Sequence, residues 1–156
     1  MKIDSSGIFC SAKIDSNKAC YTFSSFVSLN NGSIIATARG GNNKDSEWEG
    51  IEFFRSDDEG ENWSESWEPF KNVEIDNLKG SLKLCYLTEI SDSHIIASLL
   101  WIDRSSFPGK ELFNADTEGC LPMKILLADS YDNGNTWSKL RKVQLPNDIG
   151  PPSLTN

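Results

Sequence analysis

The chain has 156 residues, enough for one ordinary domain, and at 38% hydrophobic and 24% charged it reads as a globular chain rather than a disordered one. Fifteen basic residues against twenty-three acidic ones give a net charge of −8. That balance argues against non-specific binding to nucleic acid or to an anionic membrane, since both require a positive surface. No apolar run approaches the ~18 residues of a membrane helix. The opening "MKIDSSGIFC" lacks the apolar core of a secretory signal. The expected location is cytoplasmic, or secreted or periplasmic if a leader has been removed. Cys10, Cys20, Cys85 and Cys120 are scattered, and His94 is the single histidine. This pattern predicts no zinc site, no cofactor and four thiols in a reducing compartment.

In chain order, "FVSLNNGSIIATAR" (26–39) reads as strand, turn, strand, with Asn31-Gly32 at the hairpin. A loop, "RGGNNKDSEWEG" (39–50), leads to a third strand, "GIEFFRS" (50–56). The turn phrase "SDDEGENWS" (56–64) follows, and a fourth strand begins near Trp63. The second half repeats this order. Its strands are "KLCYLTEI" (83–90), "HIIASLLW" (94–101), "MKILLADS" (123–130) and "WSKLRKVQL" (137–145), with "SYDNGNTWS" (130–138) between the last two. A long insertion, 101–123, separates the second and third of these strands. No window has convincing helical periodicity, so the chain is expected to be all-β.

The two turn phrases lie 74 residues apart, and "GSIIATAR" lies 61 residues from "SHIIASLL". The units therefore match at both ends, and the second holds 13 extra residues. Each phrase has a physical reason. A Gly at positive φ closes a tight turn without steric cost. An Asp two residues earlier accepts backbone N–H groups, a hydroxyl before the Trp adds a bond, and the Trp ring anchors the turn to a sheet. The residues concerned are Ser56, Asp58, Gly60 and Trp63, then Ser130, Asp132, Gly134, Thr136 and Trp137. Calcium binding by these acidic turns is the weaker reading, because the carboxylates are few and the EF-hand spacing is absent.

The phrase S-x-D-x-G-x-[ST]-W is the Asp-box, or bacterial neuraminidase repeat. "SYDNGNTW" matches it throughout, and "SDDEGENW" departs at Asn62. From about residue 18 onward the chain resembles the N-terminal part of a sialidase-like six-bladed β-propeller. The resemblance implies four-stranded antiparallel blades. Blade 1 would span about 18–75 and blade 2 about 80–146, with blade 3 beginning in 147–156. About two blades are present, whereas six need roughly 400 residues. A truncated piece is the first expectation. Assembly of copies through open blade edges is the second.

The resemblance places an active site at the mouth of the ring, opposite the Asp-boxes. Sialidases bind a sugar carboxylate with three arginines, and the first lies in a [FY]-R-I-P motif. Here Tyr21-Thr22-Phe23-Ser24 occupies that motif, with Thr22 at the arginine. A hydroxyl cannot supply a guanidinium fork, so a non-standard specificity is implied. Asp45 is the nearest match to the family's acid/base, with Glu47 and Glu49 as competitors. The Tyr/Glu nucleophile pair and the other two arginines come from later blades in the family. At the expected mouth, Arg39, Lys44, Trp101, Asp103 and Arg104 are candidates for substrate binding. The expected ligand is a carbohydrate and the expected activity a glycoside hydrolase. The alternatives are a non-catalytic glycan- or protein-binding propeller and an inactive fragment.

Overall fold

Along "HIIASLLWID" buried side chains alternate with half-buried ones, because successive residues of a strand point to opposite faces. The computed structural model describes residues 6–14, 16–44, 46–47 and 49–145. Its strands are β1 (Cys20–Ser28), β2 (Ile34–Gly41), β3 (Gly50–Ser56), β4 (Glu74–Ile75), β5 (Leu78–Ser91), β6 (His94–Asp103), β7 (Met123–Ser130) and β8 (Arg141–Lys142). They form two antiparallel meanders, β1-β2-β3 and β4-β5-β6-β7-β8. No helix occurs among the described residues. The fold is all-β, a fragment of a sialidase-like propeller.

The main core lies between the sheets. Ile35, Ile51 and Phe53 of the first meet Cys85, Ile95, Leu99 and Trp101 of the second. Thr37 crosses the gap to donate to the Cys85 carbonyl at 2.7 Å. Ala36, Ala38 and Phe54 point the other way, under Phe9, Tyr21 and Trp63. The Cys85 thiol is fully buried, and burial raises its pKa.

The Trp turns follow β3 and β7, at the same end of their sheets. In the first, Ser56 Oγ donates to Asp58 at 2.8 Å and accepts the Gly60 N–H at 2.8 Å. Asp58 accepts the Asn62 N–H at 2.9 Å and its carboxamide at 2.7 Å. In the second, Ser130 and Gly134 repeat the first pair of bonds, and Asp132 accepts both the N–H and the hydroxyl of Thr136. Each indole donates 3.1 Å to the Gly carbonyl, and the glycines sit at φ +93° and +82°. A Cβ on Gly134 would also fall 2.4 Å from Ile35 Cδ1 of the facing sheet.

Three features differ from the expected strands. The fourth strand of the first sheet shrinks to one bridge, Phe53 with Trp67, and that of the second to Arg141–Lys142. Both indoles turn back onto their own turns, so pairing resumes only at Ser64 and Ser138, which donate to Arg55 and Asp129. In the first sheet Pro69, which has no N–H, follows close behind the bridge. An extra hairpin, β4–β5, forms because Asp76 and Asn77 take φ +54° and +63°, the conformation of a two-residue primed turn.

Candidate functional site

β2 and β6 end, and β3 and β7 begin, at the end of the sheets away from the Trp turns. Loops 42–49 and 104–122 leave from this end and meet, with the Gly109 N–H 3.4 Å from Glu47 Oε1. Arg39, near the end of β2, is wholly buried. Its Nε donates to Thr22 Oγ1 at 3.0 Å, and its Nη2 donates to the carbonyls of Asn43, at 2.9 Å, and Lys44. Its Nη1 lies 3.0 Å from Glu49 Oε2, in a pair with no exposed side-chain surface. The position lacking the expected arginine is thus bonded to an arginine from the next strand.

Arg104, the residue after β6, approaches Glu49 from the second sheet. Its Nη2 lies 3.4 Å from Glu49 Oε1 and from the Ser46 carbonyl, and its Nε donates to Ser81 Oγ at 3.1 Å. Lys83, also buried, donates to the Lys44 carbonyl at 3.0 Å. Among the described residues this bonded network joins Arg39, Arg104 and Lys83 with Glu49. Burying charge is costly without partners, and each of these groups has them.

Two β-bulges aim side chains at this spot. On β1, Thr22 pairs with Arg39 and Ser25 with Thr37, so Phe23 and Ser24 share one partner position. On β5, Leu82 pairs with Trp101 and Leu84 with Leu100, leaving Lys83 as the extra residue. Phe23 has φ +52° and 37% exposure. Lys83 Nζ and Arg39 Cζ lie 5.3 and 5.6 Å from its ring centroid.

Of the substrate-binding candidates, Lys44 alone has an exposed side chain; Arg39, Trp101, Asp103 and Arg104 are all buried. Trp101 packs in the core, donates to the Val73 carbonyl at 3.1 Å, and leaves no surface for a sugar to stack on. Asp103 caps the following turn by accepting the N–H groups of Ser105 and Ser106 at 2.9 and 3.0 Å. Burial opposes its charge, but the Ser106 and Ser105 bonds outweigh burial and lower its pKa. Asp45 lies outside the described residues.

The sequence reading missed Phe23 and Lys83 as members of this cluster, and it saw Glu49 only as a rival acid. One signal was available: a Lys amid the apolar run "SLKLCYL".

Beside the network lies a cavity of about 690 Å³, bordered by Lys18, Glu49, Glu52, Glu68, Lys71 and Ser81. Tyr21 Oη donates to Glu52 at 3.0 Å, and Lys18 Nζ lies 2.6 Å from the same carboxylate. Burial, then the Glu52 charge, push the Tyr21 phenol above its usual range, so it stays a neutral donor.

No protein-family model matches the chain, and no curated protein matches it. Solved structures do. A Hadza microbial sialidase matches at TM-score 0.61 and 20% identity, over 81% of this chain and 26% of its own. The NanB sialidase of Streptococcus pneumoniae matches at 0.62 and 12%, over 88% and 38%. A polysaccharide lyase, an ulvan lyase bound to -[GlcA(1-4)Rha3S]-, matches at 0.52 and 16%, over 81% and 28%. The chain therefore spans well under half the length of these structures. The likeness establishes the fold as sialidase-like.

Proposed function

We propose that this chain contributes two consecutive blades, about 18–75 and 80–146, to an Asp-box propeller that recognises an acidic saccharide at the end carrying Arg39 and Arg104. The observation carrying this reading is the pair of buried arginines, Arg39 and Arg104, that share the carboxylate of Glu49 in a chain of net charge −8. Two guanidinium groups sharing one carboxylate favour a sugar acid at that end. The similar structures are sialidases and a lyase bound to a glucuronate-containing saccharide, which supports the ligand class.

In the whole protein we propose hydrolysis of a glycosidic bond, with Asp45 as acid/base and a specificity other than the standard sialosides, because Thr22 stands at the first arginine. Turnover of aryl uronides but not aryl sialosides, abolished by Asp45→Asn, is the expected result. Unchanged turnover in that variant removes Asp45 from the role. Turnover of sialosides contradicts the reading of Thr22. A non-catalytic binding propeller is the second reading, favoured by the burial of Arg39 and Arg104, which fasten loops rather than face solvent. Binding without turnover of any aryl glycoside selects it.

A further inference from the structure

We propose that Phe23 is the sugar-stacking platform of this site and that the paired bulges exist to set its ring over Lys83. The inference rests on the acidic-saccharide reading above. A bulky residue at φ +52° is an outlier, because L side chains crowd the backbone there. The first position of a bulge with this geometry ordinarily holds Gly. Such strain persists only where the surroundings impose it, and it concentrates at ligand sites.

The strain here puts an aromatic ring on the surface above charges that are themselves buried. Arg39 has no exposed surface and Lys83 is 4% exposed, whereas Phe23 is 37% exposed. A second bulge, on a strand of the other sheet, delivers Lys83 to 5.3 Å from the ring centroid. Two independent irregularities in two sheets thus converge on one ring. The ring offers an apolar face to the C–H face of a pyranose. The Arg39 guanidinium beside it, one of two that share the Glu49 carboxylate, favours a carboxylate on that sugar over a neutral substituent.

The test separates strain from binding. Phe23→Gly removes the side chain and relieves the backbone, while Phe23→Tyr keeps the ring. The probes are a glucuronate-terminated disaccharide and a neutral disaccharide of the same size, titrated calorimetrically into the full chain. The expected result is an unchanged or raised Tm for Phe23→Gly with about a tenfold or greater loss of affinity for the acidic probe. Phe23→Tyr is expected to bind within about threefold of the parent chain. Acidic-probe affinity that survives in Phe23→Gly overturns the role of Phe23 and leaves the acidic-saccharide reading standing. A parent chain that binds neither probe, or binds both equally, overturns that reading and the inference with it. A marked fall in Tm for Phe23→Gly shows the ring to be a packing element and also overturns the inference.

Discussion

At one end of the sheets the Trp turns are closed by bonds between residues two to four apart, as from Ser56 to Asp58 and from Asn62 to Asp58. At the other end, Arg39 reaches 17 residues back to Thr22, and Arg104 reaches 55 and 58 residues back to Glu49 and Ser46. The first end is a local device repeated in each sheet. The second is assembled once, by the packing of one sheet on the other. Local bonds form with little loop-closure cost, whereas the Arg–Glu–Arg network requires both sheets to be in place.

The largest test of this contrast is Glu49→Gln. It leaves two buried guanidinium groups without their shared carboxylate, and it should destabilise the fold by about 3–5 kcal/mol in urea unfolding. A loss within about 0.5 kcal/mol, the size of a typical surface change, would place Glu49 outside the core network.

Next come the indoles, where identical turns meet different surroundings. Trp137 packs on Phe53 and Phe70 between the sheets. Trp63 packs on Phe9 and the exposed Phe26 on the outer face. Trp137→Ala should cost about 3–5 kcal/mol, and Trp63→Ala nearer 1.5–3 kcal/mol. Equal costs would mean that the turn, rather than the packing, sets the value of the Trp.

Acid should loosen the turns that carboxylates hold. Bonds from Asn62 lower the Asp58 pKa, and bonds from Thr136 lower that of Asp132. Lys124 and Lys142 bring Asp76 down to about 2. A carboxylate with a depressed folded pKa stabilises the fold above its unfolded value, near 3.9, and loses that contribution as pH falls through the folded pKa. Tm should therefore decline as pH drops from about 4 toward 2. A flat profile there would show that these bonds do not favour the folded state.

The smallest effect is expected from Asn62→Thr. The Asn62 carboxamide already fills the place that the Thr136 hydroxyl takes in the other turn. Restoring the hydroxyl should change stability by no more than about 0.5 kcal/mol.

The same contrast decides what could be read from the sequence. β3 (Gly50–Ser56) and β7 (Met123–Ser130) keep the bounds that their alternation and flanking turns predict. The turn residues were legible because their bonds lie within a few positions of one another. The β4–β5 hairpin was missed because Asp76-Asn77 carries no Gly to mark the primed turn. At the opposite end, the sequence named Arg39 and Arg104 but not the buried contacts they make. Nothing in "YTFSSF" announces a bulge at Phe23, and only the packing of β5 on the first sheet turns Lys83 toward that ring. Trp101 is a binding candidate in the sequence because it begins the insertion 101–123, yet its ring packs in the core between the sheets.

The most direct measurement is a two-dimensional NMR titration of the full chain with the glucuronate-terminated disaccharide. Amide shifts should concentrate in 22–24, 39–44, 81–84 and 103–106, and leave both Trp turns, 56–64 and 130–138, in place. Shifts centred on the Trp turns, or none at either end, would contradict an acidic-sugar site built on the Arg39–Glu49–Arg104 network.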